Sequence, residues 1–425
     1  MYFLYNILVF AVRFILKIAA LFTKKIRLFI DGRKETASKI QHVISKTDQV
    51  IWMHCASLGE FEQGRPILEK LKVQYPTHKL VLTFFSPSGY EVVKNYKMAD
   101  VICYLPLDSR QNAKNFLDMV HPELAVFVKY EFWPNILKEL EIRKVKTILV
   151  SAIFREDQAF FKWYGGWMRK SLNAFEHFFV QDENSKTLLN GINFSNVSVS
   201  GDTRFDRVYE ITKQDNQLSF IEEFKNDNYT LVAGSTWKED EELLVDYINS
   251  SASENEKFII APHNINSEDI QRLKNSISKR TALFSEKSFR KTDLAQSEKA
   301  LEEHKLKDLQ VYIIDTVGLL TKIYSYADVA YVGGGYTKSG VHNVLEPATF
   351  GVPIIIGPNY HKFIEAVDLV NAEACFVVNE SKKLSVLLKK LFKSKQNRDK
   401  AGNTALKYVI EKTGATDKIL YYLKR

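Results

Sequence analysis

Short runs of apolar residues alternate with amphipathic stretches along most of the chain. Runs such as VIWMHCA, KLVLTFFS and LAVFVKY have the length of buried strands, and stretches such as GRPILEKLKVQY between them have helical periodicity. Continuous apolar strands that alternate with helices are typical of a parallel sheet covered by helices on both faces. A first series of this kind extends to about residue 201.

A second series follows a more polar interval at residues 202–228, which contains no obvious strand. It comprises the runs YTLVAGS, KFIIAPH, VYIID, VAYVGGG and VPIIIG. Because 425 residues can supply two hydrophobic cores, we predict an α/β fold with two Rossmann-like, doubly wound domains that face a cleft. Ligands of such sheets bind beyond the carboxyl ends of the strands.

The polar interval and the ends of the two series set the expected domain boundaries. We place the first Rossmann-like domain at residues 35–215 and the second at residues 216–396. The final stretch, residues 397–425, is predicted to be helical and is a candidate to return to the first domain. Residues 287–308 are rich in charge and are expected to form a surface excursion.

Residues 1–34 form an apolar, basic leader. Seven Lys and Arg residues against one Asp give it a charge of +6, out of +8 for the whole chain. Its polar side chains Asn6, Arg13, Lys17 and Lys24 fall on one narrow helical stripe. We predict that this helix contacts an anionic membrane surface, either lying in the interface or entering the bilayer, with the following domains on the cytoplasmic side. The alternative, a helix packed on a soluble core, usually has a wider polar face, and no signal-peptide cleavage site follows the leader.

Charge distribution and missing motifs argue against several classes of function. Outside the leader the net charge is only +2, from +8 minus +6, which argues against nucleic-acid binding. The three cysteines, Cys55, Cys103 and Cys375, are far apart, which argues against a disulfide framework or a zinc site. The chain lacks a DxD element and the P-loop, GxSxG and HExxH motifs. We therefore expect no metal and no other cofactor.

Two acidic residues follow strands of the first series. Glu60 comes after VIWMHCA in the sequence Ser57-Leu58-Gly59-Glu60, where a glycine permits close approach of a ligand. A carboxylate at this position can accept a proton from an attacking hydroxyl, and it can equally stabilise the start of a helix. Glu131 follows LAVFV and either binds substrate or satisfies local backbone donors.

A glycine-rich segment follows a strand of the second series. Its glycines and a helix expected to begin near His342 predict a phosphate cradle built from backbone N–H groups. The predicted cradle consists of Gly333, Gly334, Gly335, Gly340 and His342. Glu346 lies one turn further along, where the simpler interpretation is a carboxylate on a helix surface.

The order of these motifs resembles that of a known family. The segments IWMHCASLGEFEQGRPIL, KYEFWPNIL, VAGSTWKEDEELL, DTVGLL and YVGGGYTKSGVHNVLEPATFGVPIIIGPNYHKF resemble the motifs of the lipid A Kdo transferases, which transfer 3-deoxy-D-manno-octulosonic acid (Kdo). The match runs from about residue 51 to residue 363. It implies a GT-B fold, CMP-Kdo as the donor, and the lipid A precursor (lipid IVA) as the acceptor at the cytoplasmic face of the inner membrane.

The resemblance also implies roles for individual residues. Glu60 corresponds to the general base that activates the acceptor hydroxyl, and Ser57, Gly59 and Glu131 are predicted to contact substrate. The predicted contacts to CMP are Pro262, His263, Val317, Gly318, Leu319, Asn343, Val344, Leu345 and Glu346.

Three residues depart from the family pattern. His263 stands where an arginine is usual, Leu319 replaces a glutamate, and Lys129 stands where an acid is common. These departures put the donor contacts in question and leave the reaction class unchanged, with inversion at the anomeric carbon expected. The alternatives are a GT-B transferase that uses a UDP-sugar and a lipid-linked acceptor, and a non-catalytic, nucleotide-binding membrane protein.

Overall fold

The computed structural model describes residues 1–286 and 306–424. The chain divides into two compact units, one formed by Met1–Arg207 with Lys412–Arg425 and the other by Val208–Glu411. Each unit contains a seven-stranded sheet in which every pairing is parallel. Two such units define the GT-B class of α/β fold.

The first unit alternates strands and helices over most of its length. Its strands are β1 (Val50–Cys55), β2 (Lys79–Phe84), β3 (Val101–Tyr104), β4 (Leu124–Val128), β5 (Lys146–Ala152), β6 (His177–Val180) and β7 (Val197–Val199). Its α-helices are α1 (Tyr2–Ala19), α2 (Lys24–Lys34), α3 (Thr36–Val43), α4 (Leu58–Gln74), α5 (Pro87–Val93), α6 (Arg110–Val120), α7 (Pro134–Ile142), α8 (Gly166–Arg169), α9 (Glu183–Asn190), α10 (Thr203–Thr212), which the division crosses, and the C-terminal helix described below. Short 3-10 helices lie at Ala159–Phe161, Trp163–Gly165 and Lys170–Ala174.

The second unit repeats the alternation. Its strands are β8 (Tyr229–Thr236), β9 (Glu256–Pro262), β10 (Thr281–Leu283), β11 (Val311–Ile313), β12 (Val329–Val332), β13 (Ile354–Ile356) and β14 (Cys375–Val377). Its α-helices are α11 (Ser219–Lys225), α12 (Lys238–Ser250), α13 (Ser267–Ser276), α14 (Leu320–Ile323), α15 (Leu345–Thr349), α16 (Ile364–Asn371), α17 (Ser381–Lys393) and α18 (Lys395–Glu411). Short 3-10 helices lie at Leu306–Asp308 and Tyr324–Tyr326.

The strand order of each sheet contains a point at which the winding direction reverses. The order is β3-β2-β1-β4-β5-β6-β7 in the first unit and β10-β11-β9-β8-β12-β13-β14 in the second. The reversal lies between β1 and β4 in the first sheet, and between β8 and β12 in the second. Loops diverge at such a point, which leaves a crevice beyond the carboxyl ends of the two strands.

Alternate strand residues supply the two faces of the first sheet. On β1, Trp52 packs into one hydrophobic cluster and Met53 packs into the other, and both are fully buried. Each such side chain contributes about 1.5–3 kcal/mol of transfer free energy. The strands of this sheet are continuous apolar runs in the sequence because helices cover both faces of the sheet.

The ends of the units differ from the predicted boundaries by several residues. The division falls after Arg207 rather than at residue 215, and α18 belongs to the second unit. Of the final stretch, only the last helix, α19 (Ala415–Leu423), lies in the first unit, where Ile419 and Leu423 pack into its core. The predicted charged excursion at 287–308 lies outside the described residues, except for Leu306–Asp308.

The N-terminal leader forms two helices rather than one. In the described part of the chain, α1 is the one helix long and apolar enough to cross a membrane, by length and composition alone, and none of its residues is buried. Thr23 has an extended backbone and begins α2, so Lys24 lies outside the helix that carries Asn6, Arg13 and Lys17. The polar stripe predicted over residues 6–24 is therefore interrupted after Lys17.

Candidate active site

Glu60 lies at the start of α4, directly beyond the carboxyl end of β1. Ser57 precedes the helix, and its backbone N–H and hydroxyl both donate to Glu60 Oε2, at 2.7 and 2.9 Å. The first bond is the half of a capping box in which a glutamate in the first turn accepts from the N–H of the residue before the helix, an N–H group that the helix itself leaves unpaired. Glu60 therefore stabilises the start of α4, as one of the two interpretations from the sequence proposed. The same hydrogen bonds fix the orientation of its carboxylate, which a general base also requires.

The environment of Glu60 favours its protonated form. Burial raises the pKa of Glu60, and the nearby charge of Glu131 raises it further, whereas the two hydrogen bonds from Ser57 and the charge of His54 act in the opposite direction. A carboxyl group whose pKa is moved toward neutrality is a stronger base than an ordinary surface carboxylate. Gly59 beside it is exposed, and a Cβ there would meet only the Ser57 hydroxyl at 4.0 Å, so this turn is open to a ligand.

Glu131 belongs to a buried polar cluster beyond β4. His54 Nε2 lies 3.0 Å from Glu131 Oε2, and Trp133 Nε1–H donates to the same oxygen at 2.7 Å. Glu131 is 7% exposed and His54 is fully buried. On its other side, His54 Nδ1 lies 2.9 Å from the hydroxyl of Thr83 on β2. The carboxylate is held by side-chain donors, not by the backbone donors considered in the sequence interpretation.

The sequence interpretation gave no site role to His54, Trp133 or Arg155, which lie around these acids. His54 is a polar residue inside an otherwise apolar strand, and this position was the available signal. Trp133 combines packing with a hydrogen bond to Glu131. Arg155 Nη2 donates to the Tyr130 hydroxyl at 3.0 Å, and Lys129 Nζ lies 5.5 Å from the centre of the Tyr130 ring. Two cations thus lie in the loops that follow β4 and β5.

Strained backbone marks the same edge of the first sheet. Lys129, after β4, has φ +70°, and Ser151, near the end of β5, has φ +51°. Residues with a Cβ seldom adopt this left-handed region, and such conformations concentrate at functional sites. The sheet register shifts between Leu149 and Ala152, which accommodates Ser151.

Three rings stack beyond β8, β9 and β12 of the second unit. The ring centres of His263 and His342 are 4.5 Å apart, and Trp237 lies 4.8 Å from His263 at an interplanar angle of 20°. Trp237 Nε1–H donates to His342 Nε2 at 3.0 Å. An indole only donates, so this bond requires a neutral His342 that accepts at Nε2.

Burial keeps both histidines of this stack uncharged. It lowers the pKa of His342 to about 4, with a further contribution from His263. It also lowers the pKa of His263, although this side chain is exposed at one side. An anion bound against the stack would oppose this effect, because a nearby negative charge favours the imidazolium.

The glycine run does not form the predicted phosphate cradle. The N–H groups of Gly333, Gly334 and Gly340 donate within the unit, to Gly234 O at 2.9 Å, Asp240 Oδ2 at 2.8 Å and Thr337 O at 3.2 Å. A Cβ on Gly333 would lie 2.4 Å from the carbonyl oxygen of Ser235, and one on Gly335 would lie 2.5 Å from the Cα of Gly357. These glycines allow segments of backbone to pack together, and the three N–H groups are not available to a phosphate. The cradle prediction is therefore wrong for Gly333, Gly334 and Gly340.

The helix expected near His342 begins at Leu345, three residues later. Asn343 precedes it, and its side-chain oxygen accepts from the Leu345 N–H at 3.2 Å, so that the chain turns before the helix can start. Asn343 Nδ2 also donates to Glu346 Oε1 at 3.1 Å. The two side chains therefore share a face, as their spacing of three residues indicated.

The structure brings two of the predicted CMP-binding segments together. Thr321 Oγ1 donates to Glu346 Oε2 at 3.1 Å, which links α15 to α14, the short helix that directly follows the turn of Val317, Gly318 and Leu319. Gly318 has φ +92°, and Val317 is 83% exposed. This turn is therefore an open surface beside Glu346.

The remaining CMP-binding candidates differ in what they can offer. The side chains of Val344 and Leu345 are buried, so these two residues can present only backbone atoms. Pro262 ends β9 and directs the chain to His263, whose N–H donates to Thr236 O at 2.9 Å.

No metal centre is visible in the described ranges, 1–286 and 306–424. No group of three or more His, Cys, Asp or Glu residues there is arranged to hold a metal ion. Cys55, Cys103 and Cys375 are buried free thiols. The expectation that no cofactor is needed stays a prediction.

Comparisons with known proteins show which enzymes the chain is similar to. Residues 31–207 match the family model described as 3-deoxy-D-manno-octulosonic-acid transferase (Kdo transferase). The chain is 26% identical over 391 residues to the 3-deoxy-D-manno-octulosonic acid transferase of Haemophilus influenzae, covering 88% of this chain and 87% of the relative. The corresponding enzyme of Rickettsia bellii is 25% identical over 385 residues, with 88% of each chain covered.

A solved structure supports the fold. The UDP-GlcNAc 2-epimerase of Neisseria meningitidis superposes with a TM-score of 0.57 at 18% identity, covering 89% of this chain and all of that chain (100%). The fold of the protein is thus that of the GT-B class. Within that class, the chain is similar over most of its length to 3-deoxy-D-manno-octulosonic acid transferases.

Proposed function

We propose that the protein transfers Kdo from CMP-Kdo to a hydroxyl group of the lipid A precursor in lipopolysaccharide biosynthesis. The observation that carries this proposal is Glu60: it is fixed by Ser57 at the reversal of strand order, and its pKa is raised by burial and by Glu131. Its family relatives are named as transferases of this sugar acid.

The reaction needs one base and one leaving group. Glu60 takes the proton of the acceptor hydroxyl, and the hydroxyl oxygen forms a bond to the anomeric carbon of Kdo. The bond between that carbon and the phosphate oxygen breaks, and CMP leaves with the electron pair. Because attack and departure occur on opposite sides in one displacement, the anomeric configuration is inverted.

Glu131 and its partners act through Glu60. His54 and Trp133 fix the Glu131 carboxylate, and its charge raises the pKa of Glu60. This assigns Glu131 a positioning and tuning role in addition to the substrate contact predicted from the sequence. The cations Arg155 and Lys129 are the groups in these loops that suit an anionic part of a substrate.

The second unit supplies the nucleotide contacts in this proposal. Ionised Glu346 only accepts hydrogen bonds, so it suits the ribose hydroxyls and would repel a phosphate. Asn343 lies beside it and can both donate and accept. His263 stacks on His342, the residue before Asn343, and it can gain positive charge when the phosphate or the sugar carboxylate arrives.

Membrane attachment through α1 at the cytoplasmic face of the inner membrane completes the proposal. The helix exposes large apolar side chains, including Phe10 at 74%, Phe3 at 72% and Phe14 at 65%. An exposed apolar surface of this kind is typical of a membrane contact. The acceptor is itself a lipid, so attachment would hold the protein where its substrate lies.

One incubation tests the proposed reaction. The purified protein is mixed with lipid A precursor, Kdo, CTP and a CMP-Kdo synthetase, and the lipid product is weighed by mass spectrometry. A mass increase of one or more Kdo residues is expected, with inhibition by CMP and not by UDP. Inhibition by UDP alone, with no product from CMP-Kdo, would favour the UDP-sugar transferase, and nucleotide binding without turnover would favour the non-catalytic alternative.

A further inference from the structure

A cavity of about 710 Å³ lies within the first unit, bounded by α1, by α2 and α3, and by the start of α6. Its wall combines cationic side chains with apolar ones, among them Ile30 and Phe116. This volume is in the range of small-molecule sites, and the mixed wall suits a ligand with both a charged and an apolar part. The cavity is separate from Glu60, Glu131 and the second unit.

The charge of the cavity is strongly unbalanced. Arg13, Lys17, Arg33 and Lys34 line it against a single acid, Asp118. That acid is already engaged, because Arg143 Nη2 lies 2.6 Å from Asp118 Oδ1. Lys34 pairs with Asp31 at 2.7 Å, which leaves three cations of the wall without a carboxylate among the residues that the structure describes.

Arg33 is the most buried of these cations. Its two terminal nitrogens donate to the backbone carbonyls of Phe29 and Phe85, both at 2.8 Å, and its Nε is buried with no hydrogen-bond partner in the described chain. Burial lowers the pKa of Arg33 to about 9, so the group is still charged at neutral pH. A buried cation without a counter-ion is costly, and a bound anion would relieve that cost.

The N-terminal helix presents its polar stripe to this cavity. Its first turns are fixed to the unit, because Tyr5 Oη donates to Asp108 Oδ2 at 2.7 Å and Asn135 Nδ2 donates to Asn6 Oδ1 at 3.1 Å. Arg13 and Lys17 continue the face of Asn6, about two and three helical turns further along, and line the cavity. Neither makes a hydrogen bond or an ion pair with the described residues, and the opposite face of the helix is apolar and exposed.

We propose that this cavity binds the phosphate-bearing headgroup of a membrane lipid, with Arg13, Lys17 and Arg33 as the cationic contacts. A lipid is favoured over a soluble phosphate because two of the three cations, Arg13 and Lys17, come from α1, whose other side exposes phenylalanine, leucine and isoleucine. Lipid binding in this cavity does not depend on the glycosyl transfer proposed above, so the two proposals can be tested separately.

The test compares two double variants that remove the same charge from the same segment. Arg13→Gln/Lys17→Gln changes the cavity, whereas Lys24→Gln/Lys25→Gln removes two exposed lysines that do not line it. Each protein, in neutral detergent, is titrated by calorimetry with short-chain phosphatidic acid. Saturable one-to-one binding is expected for the wild type and the Lys24/Lys25 variant, with affinity about tenfold or more weaker in the Arg13/Lys17 variant, the loss usual for charged hydrogen bonds.

Further ligands identify the source of the phosphate. Tighter binding of phosphatidic acid than of short-chain phosphatidylglycerol would assign the cavity to a phosphomonoester lipid, as in a phosphorylated saccharide lipid, and equal binding would assign it to phospholipids of the bilayer. Equal losses in both double variants would overturn the proposal, since general attraction to negative charge would then explain the binding. Inorganic phosphate that binds as tightly as the lipids would overturn the lipid assignment. CMP titration of both variants checks that they are folded.

Discussion

The reversal of strand order in the first unit is surrounded by carboxylates, whereas the reversal in the second unit is surrounded by aromatic and imidazole rings. Glu60 and Glu131 follow β1 and β4, and Trp237 and His342 follow β8 and β12. Burial raises the pKa of Glu60 and lowers the pKa of His342, because it penalises a charge of either sign. In the proposed function, the first unit therefore accepts a proton through Glu60, and the second unit gains positive charge at His263 only when an anion is present.

The largest effect is expected from Glu60→Gln. The amide keeps the shape of the side chain but cannot accept a proton, so transfer should fall about 10²–10⁴-fold. The control is Glu62→Gln, two residues further along α4, where the side chain is 41% exposed and loosely paired with Arg207 at 3.8 Å. Near-normal turnover by a folded Glu60→Gln protein would exclude Glu60 as the general base.

Glu346→Ala should weaken CMP binding by about 1–3 kcal/mol, the loss usual for a hydrogen bond to a charged group. Thr321 and Asn343 would also lose the acceptor that orients them. Glu254→Ala, an exposed acid of the same unit, serves as the control in calorimetric titrations. Unchanged affinity in both Asn343→Ala and Glu346→Ala would place the nucleotide elsewhere.

The affinity for CMP should rise as the pH falls from 8 to 6. Burial lowers the pKa of His263 below its ordinary value of 6.5, so its neutral form predominates at pH 7, and an anion bound against it, which favours the imidazolium, should bind with uptake of a proton. The effect should approach about tenfold per pH unit at most. His263→Arg carries a permanent charge and should retain only the pH dependence of CMP itself. Identical pH dependence in the two proteins would exclude His263 from the anion site.

The smallest effect is expected from Glu131→Gln. Glu60 must be ionised to act as a base, so the rate falls as the pH falls through its raised pKa. Removing the charge of Glu131 removes one of the two causes of that rise, and the acidic limb of the pH–rate profile should move to lower pH. The amide oxygen of Gln can still accept from His54 and Trp133. A limb that stays in place or moves to higher pH would contradict the coupling of the two acids.

Much of the fold could be predicted because the strands of a parallel sheet covered on both faces have a recognisable sequence pattern. Strands buried on both faces consist of continuous apolar residues, and motifs such as Ser57–Glu60 follow these apolar runs immediately. The neighbourhood of Glu60 and Glu131 could not be derived in the same way. It depends on β1 pairing with β4, and the sequence contains no local signal for that pairing.

The errors arose where distant segments decide the local structure. Gly333 is required because the backbone of Ser235, far away in the sequence, lies 2.4 Å from where its Cβ would be. A glycine run in the sequence does not distinguish a backbone that approaches a ligand from a backbone that packs against the end of another strand. His54 was passed over because its partner Glu131 is 77 residues away. The start of α15 was misplaced because the Asn343 side chain accepts from the Leu345 N–H in a turn that precedes the helix.

Calorimetric titration of CMP into folded Glu60→Gln protein tests most directly the claim that the two units divide the chemistry. If the first unit supplies the base and the second unit holds the nucleotide, this variant should bind CMP with an affinity within about twofold of the wild type, although its turnover is lost. A large loss of CMP affinity in the same protein would contradict the account, because Glu60 would then belong to the nucleotide site.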